Sequence, residues 1–169
     1  MVSNARRIAL GSLFGASILV FNGFIPAPTS DFLIGIQAFL LAVSFLVVGR
    51  GGPTYVGIVS GILITLAKIS FFPLDLVFAT TFGLGVDALS IVLKVKEGQQ
   101  ARTWRLVLAM TVSTGVVGYV AYYVTAVLTD IVPNELAADA GVLVFGIVSG
   151  AIAGFAAARV WNRYLSSRI

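Results

Sequence analysis

Six long apolar runs, separated by short polar or proline-bearing breaks, set the pattern of this chain. They extend from Ile8 to Phe24, Phe32 to Gly49, Thr54 to Phe72, Leu74 to Leu93, Thr103 to Leu128 and Ala140 to Trp161. Runs of this kind match the ~20 residues that a helix needs to cross a hydrocarbon core ~30 Å thick. The ten-residue alternating strands of an outer-membrane barrel are absent. The breaks have the expected chemistry. Pro26-Ala27-Pro28-Thr29-Ser30-Asp31 is a stiff turn whose last residues suit a helix cap, Arg50-Gly51-Gly52-Pro53 is a tight turn, and Pro73 ends the third helix. The pattern predicts an all-α, polytopic six-transmembrane-helix bundle, with residues 1–169 as a single transmembrane domain.

Composition strengthens this reading. The chain is 59% hydrophobic and 11% charged, against about 25% charged in an ordinary soluble domain. Lipid is therefore expected as part of its solvent, and multi-pass insertion in a cell membrane as its location. The first apolar run is longer than a usual signal-peptide core and lacks a small-x-small cleavage site, so it is expected to stay as a membrane helix.

Charge adds an orientation. Arg6, Arg7, Arg50, Lys94, Lys96, Arg102, Arg105, Arg159, Arg163 and Arg168 all fall on one side of the six runs, whereas the opposite breaks hold Asp31, Asp130, Glu135 and Asp139. The positive-inside rule then predicts cytoplasmic N and C termini. Trp104, Trp161, Tyr55 and Tyr164 fall at the same boundary, as interfacial aromatics do. The net charge of +4 is thus a topology signal and calls for no nucleic-acid partner.

With no cysteine and no histidine, thiolate metal sites, haem ligation by imidazole and histidine acid–base catalysis are excluded within the chain. No phosphate-binding glycine loop is present, because Gly49-Arg50-Gly51-Gly52 lacks the Lys-Ser/Thr ending. A non-enzymatic role without cofactor or metal is expected.

The residues open to a binding role are few. Lys68 lies about four residues, or ~6 Å, from the outer end of its helix; with Asp75 across the Phe71-Phe72-Pro73 turn it either forms a pair that holds the turn or binds a polar ligand. Asn22, Gln37, Tyr122 and Tyr123 fall in the outer halves of their helices and, with Lys68 and Asp75, are the candidate substrate-binding set. Asp87, deeper and nearer the basic side, calls for an arginine partner such as Arg7, Arg50 or Arg102, or for a proton. Small residues recur at Gly146, Gly150 and Gly154, at Gly11 and Gly15, and at Ala5 and Ala9; this spacing brings a second backbone close, either within the bundle or from a partner subunit. The basic stretch around Lys94, Lys96, Arg102 and Arg105 suits topology control, with anionic lipid or an acidic partner as the alternative.

Taken together, the six short-looped helices, the cytoplasmic termini, the basic start running into Ala5-x-x-x-Ala9 and the Pro-rich first outer loop resemble the substrate-binding S components of energy-coupling factor (ECF) transporters. The resemblance implies that Ala5 and Ala9, or Gly11 and Gly15 further into the membrane, dock on a coupling subunit served by ATPases. It also implies that the segment from Phe24 to Asp31 closes over a vitamin-like small molecule. Two other classes fit the residues. A non-catalytic accessory subunit of a respiratory or oxidase assembly would use the small-residue faces, and a channel or proton-coupled carrier would rest mainly on Asp87 but needs a continuous polar path, which Lys68, Asp75 and Asp87 do not plainly supply.

Overall fold

The computed structural model of the chain describes residues 4–23, 34–67, 73–129 and 136–166. They form α1 (Asn4–Gly23), α2 (Ile34–Val48), α3 (Gly52–Ala67), α4 (Leu74–Val92), the two-stranded hairpin β1 (Lys96–Glu97) and β2 (Gln100–Ala101), α5 (Thr103–Thr129) and α6 (Leu136–Val160), ending in a π-helical turn over Trp161–Leu165. Among the described residues, three helical stretches are long and apolar enough to cross a membrane: Leu74–Val92, Thr103–Val124 and Ala140–Leu165. The stretches Ile34–Val48 and Gly52–Ala67 are apolar but shorter. The outward faces of α5 and α6 are carried by Val112, Val116 and Val120, and by Val144, Val148, Ile152 and Phe155. Apolar surface of this extent is costly in water and free of cost against acyl chains.

Two helices begin earlier than the apolar pattern indicates. α1 starts at Asn4 and α6 at Leu136, because Ala5, Arg6 and Arg7, and Leu136, Ala137 and Ala138, favour a helix whether or not they favour oil.

α2 occupies the middle of the bundle. It packs on α1, α3, α4, α5 and α6, and every residue from Leu41 to Leu46 is buried. A helix that is apolar all round belongs in such a place, since it has no polar face to turn outward. Around it the helices interlock through glycine. An added Cβ at Gly150 would stand 2.6 Å from the Met110 carbonyl oxygen on α5, and one at Gly154 2.9 Å from the Val107 Cα. Gly57 meets the Ala79 carbonyl in the same manner, and Gly83 meets that of Pro53, which brings α3 and α4 together. Helices at this separation gain dispersion contacts along their whole length, the main attraction available between apolar helices in lipid.

The basic end of the bundle is closed by polar contacts. α2 stops at Gly49, whose φ of +91° allows the left-handed C′ conformation that glycine adopts without steric cost. The hairpin turns at Gly98 (φ +65°), the first central position of a two-residue turn, where a positive φ favours glycine. The Asn162 side-chain amide bonds both the N–H and the carbonyl of Ala101 at 2.9 Å, and Trp161 Nε1 donates to the Gln99 carbonyl at 2.9 Å. The hairpin is thereby stitched to the end of α6. The expectation of an interfacial Trp161 is corrected here: the ring is 2% exposed because the hairpin folds over it. Tyr55 is likewise drawn inward, its ring against Gly11 and its hydroxyl 3.1 Å from Ser12 Oγ on α1. Trp104 and Tyr164 are exposed, each with an arginine guanidinium over its ring.

Candidate functional site

Of the substrate-binding set, Gln37, Asp75 and Tyr122 stand on α2, α4 and α5, three helices that pack on one another. By helical rise, Asp75 and Tyr122 lie at nearly the same level, and Gln37 lies about 10 Å closer to the basic end. Gln37 and Asp75 are half-buried and both engaged in polar or electrostatic contacts. The Tyr122 hydroxyl is buried without a hydrogen-bonding partner among the described residues. Tyr123 is turned about 100° round the same helix; it is 50% exposed and its ring is stacked on Tyr119 at 6.4 Å, so it does not share the position of Tyr122. Lys68, the side chain of Asn22 and the segment 24–31 lie outside the described residues.

A buried hydroxyl in a helix usually returns its proton to a carbonyl one turn back. Ser44 and Ser60 do this, donating to Leu41 at 2.7 Å and Gly57 at 3.1 Å. Thr65, Ser90, Ser113, Thr114 and Tyr122 do not, and their oxygens are buried without a partner among the described residues. Such groups call for an acceptor from elsewhere, since each orphaned donor costs about 1–3 kcal/mol.

Asp87 differs from its expectation. Among the described residues it has no arginine partner; its carboxylate accepts the backbone N–H of Gly51 at 3.1 Å and of Thr54 at 3.0 Å, together with the Thr54 hydroxyl. These donors stand just before and within the first turn of α3, so a side chain from α4 caps a neighbouring helix across the interface. The reason is geometric and electrostatic. The Gly51-Gly52-Pro53 turn leaves the first amides of α3 without intrahelical acceptors, and a negative charge at that positive helix end is favourable. Pro53 in the first turn marks such a start in the sequence. Nothing in the spacing tells which helix supplies the acceptor, and Thr54 was missed for that reason.

The small residues divide into two groups. Gly11 and Gly15 lie against Tyr55 and Val59 of α3, and Gly146, Gly150 and Gly154 lie against α5, so these faces are taken up inside the chain. Ala5 and Ala9 are exposed.

A cleft of about 460 Å³ opens at the basic end, between the α2–α3 turn, the end of α4 and the hairpin. Arg50, Lys94 and Lys96 line it, over a base that includes Phe45, Ser90 and Val95. Lys96 Nζ donates to the Leu46 carbonyl at 3.0 Å and lies 4.4 Å over the Trp161 ring; desolvation lowers its pKa from the ordinary lysine value of 10.5. Arg105 binds the carbonyls of Leu93 and Lys94 at 3.1 and 3.3 Å, closing the C-terminal end of α4. A second, shallower cleft at the same end is lined by Thr103, Phe155, Arg159, Asn162 and Arg163. Among the described residues no group of acidic, histidine or cysteine side chains is arranged to hold a metal ion.

Compared with models of protein families, with curated proteins and with solved structures, the chain matches none.

Proposed function

We propose that the chain spans the membrane six times, with its basic end and both termini in the cytoplasm, and serves as the substrate-capture subunit of an ECF-type uptake transporter. The observation that carries the reading is the division of the small residues. The glycine pairs on α1 and α6 are consumed by α3 and α5 within the chain, whereas Ala5 and Ala9 stand exposed one turn apart at the start of α1. An exposed small-x-x-x-small pair is suited to a close helix contact with another subunit. The unpartnered Tyr122 hydroxyl, level with Asp75 at the far end, supports a polar small-molecule site there. That site would be completed by Gln37, Asn22, Lys68 and the first outer loop.

Purification from native membranes under mild detergent tests this reading. Coupling and nucleotide-hydrolysing subunits are expected to accompany the chain. The double variant Ala5→Trp, Ala9→Trp is expected to recover them at least tenfold less well, a loss of about 1.4 kcal/mol in association, with unchanged thermal stability. A chain recovered in a redox complex would favour the accessory-subunit reading. Unaltered partner recovery by the tryptophan variant would remove the docking assignment.

A further inference from the structure

We infer that the cleft at the basic end is a phosphate-binding site, formed by Arg50 and Lys94 at its mouth. The cleft has the volume of a small-ligand pocket, and among the described side chains no aspartate or glutamate lines it. Helix C-termini normally repel anions. Here the α2 carbonyl of Leu46 is taken by Lys96, and the α4-end carbonyls of Leu93 and Lys94 are taken by Arg105. Two further cations, Arg50 and Lys94, line or flank this surface with no hydrogen bond or ion pair of their side chains among the described residues. The arrangement thus offers a guanidinium and an ammonium in one concavity, a donor pair that suits a tetrahedral oxyanion.

The backbone at Lys94 points the same way. Its φ is +48°, in the left-handed region where the residue after a helix is ordinarily glycine or asparagine. A lysine there is held against its backbone preference, and its side chain lines the cleft. Outliers of this kind concentrate at functional sites.

Two sources supply the same chemistry: the phosphodiester of an anionic lipid in the adjoining leaflet, and a soluble phosphate compound. The lipid source rests on the cytoplasmic orientation proposed above, where anionic headgroups concentrate; the cleft itself does not. The full chain in detergent, examined by native mass spectrometry with added phosphatidylglycerol or phosphatidylcholine and by thermal shift with inorganic phosphate, separates them. The wild type is expected to retain phosphatidylglycerol selectively if the ligand is lipid, and to be stabilised by millimolar phosphate, with lipid displaced, if soluble phosphate occupies the site. In either case Arg50→Gln and Lys94→Asn each weaken the effect by roughly fivefold, and the pair by roughly 25-fold. Arg163→Gln, which removes a charge from the second cleft, leaves it in place. Lys94→Asn is further expected to raise Tm in the absence of ligand, which separates lost binding from lost folding. Equal phosphatidylglycerol retention by the wild type and the double variant, with no phosphate-dependent shift in Tm, would overturn the assignment.

Discussion

Replacing Asp87 with alanine is expected to lower stability by about 3–5 kcal/mol, the largest effect of any single polar substitution in this bundle. The carboxylate is 5% exposed and serves two backbone amides and one hydroxyl. Without it those donors remain buried at the start of α3 with no acceptor. Asp87→Asn keeps one carbonyl oxygen but turns an NH₂ group toward donors, and is expected to cost about 2–3 kcal/mol. Thr54→Val removes only the hydroxyl, at about 1 kcal/mol. Thermal or denaturant unfolding in one detergent gives the order. An Asp87→Ala protein as stable as the wild type would contradict the cap. An Arg50→Gln loss equal to that of Asp87→Asn would restore the arginine pairing that the hydrogen bonds argue against. The same variants bear on a proton relay through Asp87, because a stable Asp87→Asn protein that fails only in transport would revive it.

The second large effect concerns α6. Gly150→Ala places a methyl group 2.6 Å from the Met110 carbonyl oxygen, a main-chain atom that moves only if α5 moves with it. Overpacking of this kind costs about 2–3 kcal/mol, and the cost falls on the most extensive helix pair of the bundle. Gly141→Ala on the same helix is the internal control. Among the described residues nothing lies within 4 Å of its added Cβ, and alanine is the better helix former by about 1 kcal/mol. The two substitutions are chemically identical and are expected to move Tm in opposite directions. Destabilisation of equal size by both would mean that helix propensity, and not the approach of α5, sets the value of glycine on this helix.

Much of the secondary structure was legible because hydropathy and helix breaking are local properties. Pro73 stands one residue before α4, Gly49 one residue after α2, and the polar stretch from Lys94 to Arg102 lies between α4 and α5; the expected end of the third helix at Phe72 lies outside the described residues. Where the apolar pattern and helix propensity part company, at Asn4–Arg7 and Leu136–Asp139, the helices follow propensity. The hairpin was not read from the polar stretch, although Gly98 was its signal. Its pairing of Lys96 with Ala101 and Glu97 with Gln100 is held in place by Asn162, more than sixty positions away. The candidate site was legible only as residue types. Tyr122 and Tyr123 are equivalent in the sequence, and packing alone gives one a buried, unpartnered hydroxyl and the other an exposed stacked ring.

The sequence by itself determined that the chain is helical and apolar on the scale of a membrane and that its positive charge gathers at one end, because each of these is a sum over neighbouring residues. Tertiary structure decided the partners. It made α2 the central helix although other helices are nearly as apolar, turned the glycine faces inward and left Ala5 and Ala9 exposed. It also gave Asp87 to the amides of α3, and set Arg50, Lys94 and Ser90 around one cleft. Each of these depends on which surfaces meet at van der Waals distance, and that follows from the packing of all the helices together, which no local pattern along the chain encodes.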